Sequence, residues 1–273
     1  MPVATAQIAK PSLWCPGRNP DAWELWRGCV GLWPFWAGAG TAVYDFSLYH
    51  NLLSASIGSI SWVTDLYGIV GDFNADRLYV AGSDVAGHSL DFTTDFTLWC
   101  FARPDGGDTY KHILGKRGAA GYQYQFRVDG TLAINILTTT GGSVAGDTTL
   151  TLGKWYSMAA TLSSTDSTKR LWLDGIEDGS DTNSSCSHVA EEFSVGNQMQ
   201  GLASYTGAIA IAGAWNRALS GHELMQLTAD PFCMIRPPEF TPFWDAAAEA
   251  PSACAMPILG GGISMFRGGI LRG

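Results

Sequence analysis

Hydrophobic and polar residues alternate with a period of two through several stretches of this chain, the spacing of a strand with one buried face. In "YQYQFRVDGTLAINI", Tyr122, Tyr124, Phe126 and Val128 alternate with Gln123, Gln125, Arg127 and Asp129. Asp129-Gly130 can take the positive φ angles of a type I′ turn, and Leu132, Ile134 and Ile136 resume the alternation, so the segment predicts a hairpin. A second hairpin follows. "WYSMAATL" puts Tyr156, Met158, Ala160 and Leu162 on one face, "SSTDSTK" turns the chain, and "RLWLDG" returns it to a close at Asp174-Gly175. "FTLWCFARP" is a run of β-formers stopped by Pro104. "YTGAIAIAGAW" is apolar on both sides, with Ala208, Ala210, Ala212 and Ala214 all small, which predicts a central strand closely covered on both faces.

The helical period is written plainly once. In "ALSGHELMQLTADP", Ser220 and Glu223 have the spacing of a capping box, Leu219 and Leu224 that of a hydrophobic staple, and Leu224 and Leu227 share a face. Asp230-Pro231 ends this short helix. Many strands and one late helix predict an all-β fold, a two-sheet antiparallel sandwich with one short C-terminal helix.

Composition agrees. Charged residues make up 15%, against 33 glycines and 11 tryptophans, which suits a sheet protein with tight turns and is too apolar for disorder. The net charge of −9 excludes a nucleic-acid partner, since phosphate binding rests on clustered Lys and Arg. No stretch approaches the roughly 20 apolar residues of a membrane helix. The N-terminus lacks a basic start followed by an apolar run, so no signal peptide is expected. Cys15, Cys29, Cys100, Cys186, Cys233 and Cys254 have no metal-ligand spacing and read as free, mostly buried thiols.

Four of these segments, in this order, resemble the laminin-G-like, concanavalin A-like jelly-roll family. "GLWPFWAGAGTAVYDFSLYHN" (31–51) is similar to the family's opening, with its Trp-Pro pair, small-residue turn and Asp45. "DFTTDFTLWCFARP", "LGKWYSMAATL…KRLWLDG" and "FSVGNQ…YTGAIAIAGAWNRALSGHEL" are similar to a strand, a hairpin and the closing strand and helix start. The resemblance covers about residues 28–232 and implies a jelly-roll sandwich. Some members bind calcium near an acidic pair after Gly-x-Ile, but here that position reads Gly207-Ala208-Ile209-Ala210-Ile211, which leaves only Asp45. No metal and no cofactor are assigned.

The family includes glycoside hydrolases, which implies a search for paired carboxylates. No E-x-D-x-x-E alternation occurs; "DGIEDGSD" (174–181) and "AEE" (190–192) read as solvated turn charge. "GHSLD" (87–91) lacks the second glycine of a nucleophile elbow, and its His88 is adjacent in sequence, which does not make a triad. His222 fits the surface of the capped helix. The expectation is a non-catalytic protein that acts by binding. Aromatics in loop-like segments, Trp62, Tyr67, Tyr110 and Tyr205, are the candidates for stacking on sugar rings.

The chain is read as an N-terminal arm (1–27), the sandwich (28–232) and a Pro/Gly-rich tail (233–273). Both arms are expected to be extended. "MPILGGGISMFRGGILRG" is too glycine-rich to fold alone and apolar enough to seek contact. Leu259, Ile263, Met265, Phe266, Arg267, Ile270, Leu271 and Arg272 are its candidate assembly contacts. "ADPFCMIRPP" (229–238) resembles the domain exit of phage-encoded members of the family. The expected partners are therefore other structural subunits or copies of the same chain, with surface glycans as a further class. The expected setting is a virion assembled in the host cytoplasm. A secreted or cell-surface lectin-like module is the alternative, and a polysaccharide-degrading enzyme the third class.

Overall fold

The computed structural model describes residues 19, 22–106, 110–182, 185–198 and 203–236. All of them belong to the first of two units, Met1–Pro238 and Glu239–Gly273. The expected assembly contacts between Leu259 and Arg272, and residues 1–18 of the N-terminal arm, lie outside the described residues.

The strands, in chain order, are β1 (Cys29–Pro34), β2 (Ala42–Val43), β3 (Leu53–Ile57), β4 (Ser61–Asp65), β5 (Gly68–Asn74) and β6 (Arg77–Val80). Then come β7 (Phe96–Pro104), β8 (Lys111–Gly118), β9 (Gly121–Val128), β10 (Ile134–Thr138) and β11 (Gly142–Ala145). The last are β12 (Tyr156–Ser163), β13 (Thr168–Leu173), β14 (Ile176–Asp181), β15 (Phe193–Val195) and β16 (Thr206–Trp215). Helix α1 (Trp23–Trp26) precedes them and α2 (Gly221–Ala229) follows. Two antiparallel sheets of eight strands result. The first runs β14-β13-β12-β7-β16-β5-β4 with β1 also on β16; the second runs β11-β10-β9-β8-β15-β6-β3-β2. This is the expected two-sheet jelly-roll sandwich.

The main core lies between the sheets. Tyr156, Met158, Ala160 and Leu162 of β12 face Tyr124, Phe126 and Val128 of β9 in it, as the alternation predicts. A second apolar cluster covers the other face of the first sheet, where Trp99, Ala208, Ala210, Ile211 and Trp215 meet Leu25 of α1, Leu224 and Leu227 of α2, and Phe232, Met234 and Ile235. Strand β16 is therefore buried on both faces, which its small alanines permit. Residues read from sequence as arm and tail thus contribute to this cluster: the Trp215 indole donates to Leu25 O (2.6 Å), and Asn19 N–H donates to Met234 O (2.8 Å). Helix α2 carries the full capping box of Ser220 and Glu223, with Leu219 and Leu224 buried beneath it and His222 exposed.

Three local expectations are corrected. The β9–β10 turn is not a two-residue turn at Asp129-Gly130. Its strands separate after the Val128–Ile134 pair, and Leu132 rather than Gly130 takes the left-handed conformation (φ +62°). The reason is Asp129, whose Oδ1 accepts from Thr131 N (2.9 Å), Thr131 Oγ1 (2.6 Å) and Ala133 N (3.1 Å) and so rounds the loop about one carboxylate. The acidic "DGIEDGSD" is not all turn. Asp174-Gly175 makes the tight turn (φ +51° and +79°), and Ile176–Asp181 forms the edge strand β14, where charge discourages further pairing. Within "AEE", Glu191 is buried rather than solvated, because its Oε1 accepts from Ala120 N.

Candidate functional site

The outer face of the second sheet carries polar side chains where a solvated sheet would leave them exposed. Pairing sets two rows across it. Asn135, Arg127 and His112 stand side by side on β10, β9 and β8. Gln125, Gly115, Ser194 and Tyr79 stand in the next row on β9, β8, β15 and β6. Each alternates with core residues, Gln125 and Arg127 around Phe126, and Ser194 between Phe193 and Val195. A bulge between His112 and Leu114 lets Ile113 and Leu114 both enter the core while His112 stays on the outer face. Gly115 completes it. At φ +155° its backbone lies so close to β9 that an added Cβ would meet Tyr124 O at 2.5 Å and Gln125 Cα at 2.9 Å.

These side chains bind one another. Gln125 Nε2 meets His112 Nδ1 (3.1 Å), and His112 Nε2 meets Ser194 O and Oγ (both 3.2 Å). Burial, followed by the neighbouring Arg117, Arg77 and Arg127 charges, holds the His112 pKa down to about 3, so the ring is neutral at neutral pH. One ring nitrogen therefore carries the proton: Nε2–H donates to Ser194, Nδ1 accepts from Gln125, and the Gln125 oxygen is left facing the arginines. Arg127 Nη1 (3.2 Å) and Arg117 Nη1 (2.5 Å) both donate to that oxygen, and Arg127 Nε donates to Asn135 Oδ1 (3.0 Å). Tyr110 lies over the Arg127 guanidinium at 4.0 Å with half its surface exposed, and Arg77 lies over Tyr79 at 4.9 Å and pairs with Glu192. The result is a linked layer of guanidinium donors, held by two amide oxygens, beside an exposed ring.

The four sequence candidates do not converge. Trp62 donates its indole N–H to Gly40 O (3.1 Å) and packs at the margin of the main core. Tyr67, on the same hairpin, sits on the opposite side of the first sheet, edge-on to Phe101 (4.7 Å) and Trp155 (5.3 Å). Tyr110 joins the polar face. Tyr205 is fully buried, so no sugar can stack on its ring; it follows the segment that closes on Gly196 by Tyr205 N–H to Gly196 O, and it fills the main core. Sequence reasoning missed His112, Arg117, Gln125, Asn135 and Ser194. The available signal was the polar half of "YQYQFRV": long hydrogen-bonding side chains there, rather than Thr or Lys, favour a linked layer over a solvated face.

Other features are engaged internally. Asp45 Oδ1 accepts from Leu32 N (2.8 Å) and Ser47 N (2.7 Å), and Oδ2 from Ser47 Oγ (2.6 Å) and Asn51 N (2.8 Å), so the carboxylate does not fit a calcium ligand. Among the described residues no group of three or more His, Cys, Asp or Glu is arranged to hold a metal. In "GHSLD", Asp91 binds His188 (2.8 Å) and lies 3.6 Å from the buried Lys116, while His88 Nδ1 accepts from Leu90 N. Ser89 Oγ accepts from Asn51 (3.0 Å), and no triad forms. An open cleft of about 720 Å³ lies beside α2, but its charges are satisfied: Arg217 forks Glu223 (2.5 and 3.0 Å) and donates to Arg27 O and Glu24 O, and Arg170 pairs with Asp166 (2.7 Å). Cys100, Cys186 and Cys233 are free thiols. Among the described residues no helix is long and apolar enough to cross a membrane.

The family model described as the concanavalin A-like lectin/glucanases superfamily matches residues 78–225, more than half of the chain. No curated protein matches. Solved structures of similar fold include Trypanosoma rangeli sialidase (16% identity, TM-score 0.56, covering 75% of this chain and 33% of that one). The binding domain of Paraclostridial Mosquitocidal Protein 1 is similar at 13% identity and TM-score 0.57, over 74% and 52% of the two chains. Domain 4 of AbnA, an extracellular arabinanase from Geobacillus stearothermophilus, solved with arabinotriose, is similar at 14% identity and TM-score 0.55, over 73% and 98%. The chain spans about a third of the length of the sialidase structures, and at these identities the likeness is one of fold.

Proposed function

The chain belongs to the concanavalin A-like lectin/glucanases superfamily, and from that premise we propose that it is a non-catalytic carbohydrate-binding protein whose outer second-sheet face receives the glycan. The observation that carries this reading is the fixed layer in which the amide oxygens of Gln125 and Asn135 hold the guanidinium donors of Arg117 and Arg127 beside the half-exposed Tyr110. Sugars are bound by planar amide and guanidinium groups that meet paired hydroxyls, and by a ring that covers the apolar face of a pyranose. Donors held by neighbours before binding lose little freedom on binding. The arabinotriose complex of the AbnA domain, of the same fold, supports a sugar as the ligand class. A binding role also agrees with the acids beside the aromatic cluster, Asp65 and Asp105, both of which are committed to Arg103.

A glycan array probed with the full chain tests this, followed by titration of the strongest ligand against Tyr110→Ala and Asn135→Ala. Both variants should lose affinity roughly tenfold; Tyr110→Ala should keep the wild-type melting temperature within a few degrees, whereas Asn135→Ala, which leaves the buried Arg127 Nε without its acceptor, should also melt several degrees lower. Full affinity in both would refute this face as the site.

The finer reading is a virion component, assembled in a host cytoplasm and displayed through its termini. It is supported by the apolar, glycine-punctuated sequence from Met256 to Gly273 and by the phage-like "ADPFCMIRPP". Deleting 256–273 should leave a folded domain that no longer joins its particle; retained incorporation would reject the tether.

A further inference from the structure

Resting on the carbohydrate-binding reading, we infer that this face is built for an acidic glycan, whose carboxylate is received between the guanidinium groups of Arg117 and Arg127. The charge pattern points there. Arg27, Arg77, Arg103, Arg170, Arg217 and Arg236 each pair with at least one carboxylate. Among the described residues, Arg117 and Arg127 alone of the arginines of the folded body have no carboxylate within ion-pair distance, in a chain of 25 acidic and 16 basic residues. These two sit together, their Nη1 atoms on the same neutral oxygen, Gln125 Oε1. Arg127 is only 7% exposed, and a buried charge is costly unless it is paired. Two cations on one amide oxygen, with no carboxylate of the described residues in ion-pair contact with either, form half of an ion pair.

The donors for the other half are present. Arg127 Nη2 and Arg117 Nε and Nη2 make no hydrogen bond among the described residues. Planar guanidinium groups present paired N–H donors in the geometry of a carboxylate, and such bonds are short and charge-assisted. Tyr110, stacked over Arg127, would border the sugar carrying that carboxylate, and Tyr122 flanks Arg117 at 5.6 Å. The neutral His112 behind Gln125 keeps the amide oxygen turned toward both arginines, so the pair is positioned before the ligand arrives.

The test uses the full chain, at fixed ionic strength, on an array carrying uronate- and sialate-terminated, sulfated and neutral glycans. Binding should concentrate on carboxylated glycans, and Arg117→Gln should weaken it roughly 10- to 100-fold, the range for losing a charge-assisted bond. Arg117→Lys, which keeps the charge without the fork, should fall between. Because Arg127→Gln could unfold the sheet, the decisive second measurement is the melting temperature of ligand-free Arg117→Gln. Relief of repulsion should raise it, whereas a fall of several degrees would show a structural arginine and overturn the inference. Binding confined to neutral glycans, and unchanged by Arg117→Gln, would overturn it while leaving the carbohydrate reading intact. Preference for sulfate over carboxylate would overturn the assignment of the anion. No binding to any glycan would overturn both.

Discussion

Replacing Asp45 with alanine removes one carboxylate and leaves four donors without an acceptor: the backbone N–H groups of Leu32, Ser47 and Asn51 and the Ser47 hydroxyl. Leu32, Ser47 and Asn51 are all buried, so water cannot readily replace the lost bonds. Each unsatisfied buried group costs about 1–3 kcal/mol. The hydroxyl can rotate to another acceptor, but the three N–H groups are fixed by the chain, which sets the expected loss at about 3–5 kcal/mol after relaxation. For a body of this size that lowers the melting temperature by roughly 10 °C, at about 2–4 °C per kcal/mol. Asp45→Asn keeps one acceptor oxygen and should lose about half as much. Urea unfolding followed by tryptophan fluorescence reports it, because the fully buried Trp33 on β1 is tied by its indole to Asn51 O (2.7 Å). A cost below about 1 kcal/mol for Asp45→Ala would refute the role of this carboxylate as the clasp of β1. The same assay separates clasp from cation site. A site filled at a hundred times its dissociation constant would add about 2.7 kcal/mol, so a rise in the wild-type midpoint with millimolar calcium, lost in Asp45→Asn, would equally overturn the reasoning.

Other consequences follow from the same contacts. His112 is excluded from protonation in the fold, with its pKa held down to about 3, while the unfolded chain takes up that proton below about 6.5. Its contribution is therefore complete above pH 6.5 and declines as the pH falls toward 3, by about 1.4 kcal/mol per unit, or roughly 2 kcal/mol at pH 5; His112→Gln should flatten the pH dependence of the urea midpoint, and identical slopes would disprove this. Gly115→Ala should cost more than about 2 kcal/mol, since a Cβ at φ +155° would strike the β9 backbone, and an unchanged unfolding midpoint would count against the close approach. Ser220→Ala should cost about 1 kcal/mol through loss of the α2 cap, measured by thermal melting, whereas Ser220→Asp should retain most of the stability.

The strand pattern was legible because its causes are local. The faces of β9 and β12, the Asp174-Gly175 turn, the all-apolar run of β16 and the cap of α2 are each written in residues within a dozen positions of one another. Leu132 was misread because Asp129 draws three donors to one carboxylate, a competition between turn types that residue preferences alone do not decide. The sequence "IEDGSD" has the composition of a turn, and only the neighbouring β13 makes it an edge strand. Helix α1 is a single turn with too few positions to show a period; it exists because Leu25 and the Trp215 indole meet across most of the chain.

The candidate site divides along the same line. By itself the sequence determined that Gln125 and Arg127 share the face opposite Tyr124 and Phe126, because a strand's side chains alternate regardless of its neighbours. It also determined that acidic residues outnumber basic ones. Only the tertiary structure decided that His112 and Arg117 of β8, Asn135 of β10 and Ser194 of β15 would join that face, because strand order and two bulges set which rows meet. It likewise buried Tyr205 and left Tyr110 open to solvent, since burial depends on the layers above a residue and not on its neighbours along the chain. Charge composition is a sum over the sequence, whereas two arginines without a carboxylate are a fact of position, created where the chain brings Arg117 and Arg127 to a single oxygen.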